Sequence, residues 1–280
     1  MSKHVKVIVL RAAGTNCNAE TAFAFSHFGA AVDQVHIKRL VAREILLSDY
    51  HILAIPGGFS YGDDIAAGRI LANELRLHLR EDLKRFIEKG KLILGICNGF
   101  QVLVKAGLLP GKAELTGSSH QSQVTSHQSE GDSHQQATLT ANDSGRFEAR
   151  WTCLKTVREN IWTKGLPEIM YLPVAHGEGK FMPREPHELE ALTRENQVAF
   201  RYCDPAGKKS EYPWNPNGSA QDIAGITDST GRILGLMPHP ERHFFFTQCP
   251  AWTRMEKKSE YGDGAGIFEN GMKYVKEHLI

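Results

Sequence analysis

No apolar run in this chain approaches the roughly 20 residues that a bilayer-spanning helix needs, so no membrane span is expected. Charge of one sign is also missing in excess: 33 Lys and Arg stand against 32 Asp and Glu, a net charge of +1. That balance gives no support to bulk electrostatic binding of nucleic acid or an anionic membrane. Cysteine is scarce, five in 280 residues, and no two are spaced as CxxC. An odd, scattered set argues against a disulfide framework and against a structural zinc site, and no metal is expected. The start, Met1-Ser2-Lys3-His4 before a short apolar run from Val5 to Leu10, has no small-residue cleavage site and does not read as a secretory signal. The expectation is a reduced, cytoplasmic protein. A Walker-type phosphate loop is absent too. Gly207-Lys208-Lys209-Ser210 lacks the upstream glycines and reads as a solvated turn.

What is present is ordinary globular composition, 41% hydrophobic and 23% charged. A chain this long buries about three quarters of its unfolded surface and needs no cross-link to hold a core. Val5–Leu10, Val32–Ile37 and His51–Ile55 read as strands, with a helix from the Asn16 region to about Phe28 between the first two. A long helix is expected over Arg69–Lys89, because Leu71, Leu75, Leu79, Leu83 and Phe86 recur at helical spacing. Lys91–Cys97 is apolar nearly throughout, as a strand covered on both faces should be. This alternation predicts an α/β fold with a mostly parallel, doubly wound sheet and helices on both faces. Further strands are expected at Arg146–Trp151, Met170–Ala175, Gln197–Tyr202, Gly225–Thr227 and Ile233–Met237, and a last amphipathic helix at Ala265–Leu279. Residues 117–136 break the pattern with Ser-His-Gln repeated at a seven-residue period. So polar a stretch reads as a solvated insertion rather than a metal tract. No linker divides the chain, so residues 1–280 are expected to form one domain carrying that insertion.

The strongest chemical signal is Gly95-Ile96-Cys97-Asn98-Gly99-Phe100-Gln101. A cysteine leaves a buried strand, flanked by glycines, where a helix begins. Small neighbours permit the strained strand-to-helix turn of a nucleophile elbow. The helix N-terminus favours negative charge on the sulfur, and the Asn98 N–H points where an oxyanion would form. Met237-Pro238-His239-Pro240-Glu241 follows another strand and supplies an imidazole with a carboxylate to orient it. Residues two apart in extended chain face the same way, which would bring His239 and Glu241 together. Pro56-Gly57-Gly58 after a third strand offers a second oxyanion donor. Each motif alone has a structural explanation; together they sit at the carboxyl ends of three strands, where open α/β sheets place their sites. Cys17 also begins a helix after a strand, but without flanking glycines, and reads as a structural or pocket-wall residue. Cys153, Cys203 and Cys249 have no base motif beside them.

Gly95-x-Cys97-x-Gly99-x-Gln101, with a Pro-Gly-Gly loop upstream and His-x-Glu downstream, resembles the class I (triad) glutamine amidotransferases. Gly14-Thr15-Asn16-Cys17, Pro56 to Asp63, Val174-Ala175-His176-Gly177-Glu178-Gly179 and Pro216-Asn217-Gly218-Ser219 narrow the likeness to the glutaminases that serve phosphoribosylformylglycinamidine synthases. The Ser-His-Gln tract is not one of that group's motifs. The resemblance implies that Cys97 attacks the glutamine amide, with His239 as base and Glu241 as its orienter. Gly58 and Asn98 would form the oxyanion hole, and Gln101, Gly57, His176 and Gly177 would bind substrate. It implies no cofactor in this chain. Ammonia would pass to an ATP- and magnesium-dependent synthetase partner that makes formylglycinamidine ribonucleotide, with room in the complex for a small accessory subunit. Another class I amidotransferase, a Cys-His hydrolase of similar fold and a non-catalytic regulatory subunit remain the alternative readings.

Overall fold

The computed structural model describes residues 4–63, 65–111, 135–209, 211–257 and 259–280. Most of the Ser-His-Gln insertion, residues 117–134, therefore lies outside the described residues. The amino-terminal half runs β1 (Lys6–Arg11), α1 (Asn18–His27), β2 (Ala31–His36), α2 (Ile37–Val41), β3 (Ile52–Ile55), α3 (Arg69–His78), α4 (Arg80–Glu88), β4 (Leu92–Ile96) and α5 (Asn98–Lys105). The remainder runs β5 (Ala137–Thr140), β6 (Glu148–Thr156), β7 (Ile169–His176), β8 (Lys180–Pro183), α6 (Pro186–Arg194), β9 (Val198–Cys203), β10 (Ile223–Thr227), β11 (Ile233–Leu236) and α7 (Ala265–His278).

Nine strands form one mixed sheet in the order β2-β1-β3-β4-β11-β10-β9-β6-β7. The run from β2 to β11 is parallel throughout. This is the α/β architecture that the alternating strands and helices predict, and its central strands β3, β4 and β11 are buried at every residue. From β11 outward the partners β10, β9, β6 and β7 are antiparallel. There burial alternates, as in β7, where Met170, Leu172, Val174 and His176 face inward. Strands β5 and β8 pair separately in a small antiparallel sheet.

The single long helix expected over 69–89 is two helices. The chain leaves helical geometry at Leu79, with φ −120° and ψ 10°. The stripe explains why. Three successive spacings of four residues advance 400° each, so an unbroken α-helix would carry Leu83 about 120° away from Leu71. The break resets the face, and Leu71, Leu75, Leu79, Leu83 and Phe86 are all buried.

Candidate active site

Three parallel neighbours, β3, β4 and β11, end at the same edge of the sheet. Their pairing puts Leu236 beside Ile96 and Gly95 beside Ile55. The next residues of each strand carry Pro56-Gly57-Gly58, Cys97 and Met237-Pro238-His239. The sheet register thus brings together groups that are far apart in sequence.

Cys97 sits at the turn between β4 and α5 with φ 51° and ψ −106°, a conformation a side chain adopts only under constraint. Its N–H bonds Leu236 O at 2.8 Å and its carbonyl accepts the Gln101 N–H at 3.1 Å. The flanking glycines are needed for contact as well as for the turn. A Cβ on Gly95 would lie 2.5 Å from Leu103 and 2.7 Å from Gly99 O. The Cys97 thiol is almost wholly buried and lies 3.6 Å from the carbonyl of Ala175.

His239 is buried, with its N–H on Pro173 O at 2.8 Å and its Nδ1 2.7 Å from Glu241 Oε1. The two residues do not meet by extended-chain alternation. His239 is extended, but Pro240–His243 form a tight 3-10 turn that folds Glu241 back onto the ring. Burial opposes a charge on His239. The Glu241 carboxylate and contacts with Cys97 and Cys17 more than offset it, so the imidazolium is favoured well above the ordinary histidine range. With Nδ1 turned to Glu241, Nε2 is the nitrogen left to exchange a proton with the thiol.

Gly57 lies between these groups: a Cβ there would be 2.7 Å from His239 Cε1 and 3.4 Å from Cys97 Cβ. Gly58 has φ +141°, and a Cβ would press on Asn16 N and Gly14 O, each at 2.8 Å. The bridge that fixes this loop uses other amides: Asn16 N–H donates to Gly57 O at 3.4 Å and Phe59 N–H to Gly14 O at 2.9 Å. The Asn98 N–H, in the first turn of α5, has no intrahelical acceptor by position. Of the two amides that the motifs nominate for an oxyanion, that of Gly58 lies on the loop after β3 and that of Asn98 at the start of α5, next to Cys97.

The Asn98 side chain ties those loops together, a role that no spacing rule revealed. Its oxygen accepts Ser60 N–H at 3.3 Å, and its amide nitrogen donates to Asp63 Oδ1 at 3.2 Å and Gln101 Oε1 at 3.0 Å. Tyr61, Gly62 and Asp63 all have positive φ, and burial raises the Asp63 carboxyl above its usual range. Gln101 donates in turn to the Glu178 carbonyl at 2.5 Å, so its buried amide joins α5 to the 177–179 loop.

His176 ends β7 and is buried, its Nδ1 3.1 Å from Asn142 Oδ1 and its Nε2 3.5 Å from Asn217 Nδ2. Burial, reinforced by nearby His239, lowers its pKa to about 3, so the ring is neutral at ordinary pH. Gly179 must be glycine here, since a Cβ would meet the His176 ring at 2.3 Å. Gly177 next to it is exposed, and its carbonyl accepts Asn142 N–H at 2.9 Å. Asn142 went unnoticed in the sequence, where a single asparagine in a turn is unremarkable, and Asn217 stood there only as part of the Pro216-Asn217-Gly218-Ser219 motif, with no contact assigned to it. Cys17 approaches the same edge of the His239 ring as Glu241, its sulfur 4.0 Å from Nδ1, 3.1 Å from Asn16 Oδ1 and 3.1 Å from the Arg242 guanidinium.

Comparison with known proteins agrees with this geometry. The family described as the CobB/CobQ-like glutamine amidotransferase domain matches residues 4–275. The chain belongs to that family. Among glutamine amidotransferases of this kind, the phosphoribosylformylglycinamidine synthase subunit PurQ of Dehalococcoides mccartyi is 46% identical, over 99% of this chain and all of the relative. The protein of the same name from Archaeoglobus fulgidus is 42% identical, with 98% of each chain covered. A solved structure, PurLQS from Thermotoga maritima, superposes with a TM-score of 0.69 at 26% identity, covering 98% of this chain and 100% of that one. No helix among the described residues is long and apolar enough to cross a membrane.

Proposed function

We propose that this amidotransferase is the glutaminase of a phosphoribosylformylglycinamidine synthase, releasing ammonia from glutamine for a separate synthetase chain. The observation that carries the chemical part is the strained, glycine-flanked Cys97 one strand away from the buried His239–Glu241 pair. The biological part rests on full-length relatives of that name.

His239 takes the Cys97 proton and the thiolate attacks the side-chain amide carbon of glutamine. The oxyanion is held by the N–H groups of Gly58 and Asn98. His239 then gives its proton to the departing nitrogen, ammonia leaves, and a γ-glutamyl thioester remains on Cys97. Water, deprotonated by His239, attacks the thioester and frees glutamate. Glu241 holds the imidazole in register through both steps. Gly57 leaves room for His239 beside Cys97, while Gln101, His176 and Gly177 shape the glutamine pocket. This chain has no phosphate loop among its motifs, so ATP and magnesium belong to the synthetase. A small accessory subunit is proposed as a further partner, and the cytoplasm suits five cysteines with no framework spacing. Residues 1–280 act as one domain in this reading.

Glutamate release by the chain alone and with its synthetase tests the reading directly. In the reconstituted complex, Cys97→Ala should abolish glutamine-dependent product while synthesis from concentrated ammonium continues. Equal loss with both nitrogen sources, in a variant still folded and bound, overturns the division of labour.

A further inference from the structure

We propose that Cys17, His239 and Glu241 form an inhibitory site for a soft divalent metal ion of the zinc class. Two chain segments bring one sulfur, one ring nitrogen and one carboxylate oxygen within 4.8 Å of one another, all on buried residues. Among the described residues no other His, Cys, Asp and Glu groups converge in this way. The mixture of donors is selective. Thiolate and imidazole suit zinc, whereas magnesium and calcium take oxygen.

A second observation concerns the same carboxylate. Oε1 of Glu241 is engaged by His239 Nδ1, but Oε2 is buried without any partner. A buried carboxylate oxygen left unpaired costs free energy, and a bound cation removes that cost. Bond lengths to zinc of about 2.0–2.3 Å require donor atoms roughly 3.3–3.7 Å apart. The sulfur–Nδ1 separation of 4.0 Å needs a slight contraction and the 2.7 Å Nδ1–Oε1 pair a slight opening. Both are side-chain adjustments. Arg242, whose guanidinium already donates to the Cys17 sulfur, would hold the thiolate as outer partners hold other metal-bound sulfurs.

Binding releases the thiol proton to solvent and clears Nδ1, leaving a neutral ring whose one proton sits on Nε2. The consequence for turnover rests on the glutaminase reading. An imidazole whose Nδ1 lone pair is given to a metal keeps its remaining proton on Nε2, so it cannot accept the Cys97 proton. The ion would also occupy Glu241. Inhibition would therefore arise without the metal touching the nucleophile.

The test uses the full chain with Cys97→Ala, which removes the catalytic thiol and with it any ordinary thiol chelation at the active site. Cobalt(II) added to this variant should give tetrahedral absorption bands and a thiolate-to-metal charge-transfer band, both displaced by zinc. Adding Cys17→Ala should remove the charge-transfer band and weaken zinc binding by at least about 10–100-fold, the loss expected even for an outer partner of a ligand. X-ray absorption of the zinc-loaded Cys97→Ala chain should show one sulfur among nitrogen and oxygen ligands, and this arm needs no change at Cys17. Absence of the band with Cys97→Ala alone, its persistence after Cys17→Ala, or a zinc shell with no sulfur or two overturns the proposal. Glutamate release by the unaltered, zinc-free complex is read separately and bears only on the glutaminase reading.

Discussion

Gly99 packs its Cα against the carbonyl of Ile55, so closely that a Cβ would lie 1.8 Å from that oxygen. Ile55 is the last residue of β3 and Gly99 is in the first turn of α5, so this contact sets the distance between the Pro-Gly-Gly loop and the cysteine elbow. Backbone meets backbone here. Neither side can yield by changing a rotamer.

Gly99→Ala should consequently destabilise the chain by about 2–3 kcal/mol, the upper end of ordinary overpacking. Urea unfolding measures this directly. A midpoint unchanged from the parent protein would mean that the elbow is free to move.

A glutamine-mimicking electrophile should label Cys97 alone among the five cysteines. Cys97 occupies the constrained turn facing the His239–Glu241 pair, whereas Cys17 is turned to Asn16 and Arg242. Peptide mapping that finds the adduct on Cys17 would reverse the assignment of the nucleophile.

Asn98→Ala keeps the backbone N–H but removes the three hydrogen bonds that join Ser60, Asp63 and Gln101. The oxyanion amides then lose their fixed spacing. A fall of about 10–100-fold in kcat is expected with KM little changed, because misplacement of this kind is felt in the transition state. A change confined to KM in a folded variant contradicts this role.

The neutral, buried His176 makes stability fall on the acid side. Its folded pKa of about 3 lies below the ordinary histidine value of 6.5, so between those pH values the unfolded chain binds the extra proton. Stability is therefore full above pH 6.5 and declines as pH drops toward 3, with a slope approaching about 1.4 kcal/mol per pH unit from this residue. His176→Gln should flatten the decline between pH 6 and pH 4 in denaturant titrations, relative to the parent chain. An unaltered slope would show that His176 is not the group responsible.

The elements that place the catalytic groups were legible because each is announced locally. A buried strand, a glycine pair and a helix start sit within a few residues of Cys97; a buried strand and a glycine pair mark Gly57, and a buried strand and flanking prolines mark His239. What the sequence did not disclose depends on distant partners. Strands β5 and β8 are only four residues long, and their pairing is decided by tertiary packing; helix α6 is also short and was missed despite its capping box. The Asn98–Asp63–Gln101 network and the approach of Cys17 to His239 join positions with no pattern between them. Even the His239–Glu241 contact, correctly paired, arises from a 3-10 turn that the proline-flanked motif did not signal as such.

Strands β4 and β11 lie side by side in the sheet yet are far apart in the chain, and Cys97 and His239 follow the last rungs of that pair. During synthesis the elbow with Cys97 is complete long before its neighbour strand has been made. Without β11 between β4 and β10, Cys97 would stand apart from His239 and the sheet would have an open edge in its middle. Chemical competence and closure of the sheet are thus acquired in the same event. A half-made chain cannot squander glutamine.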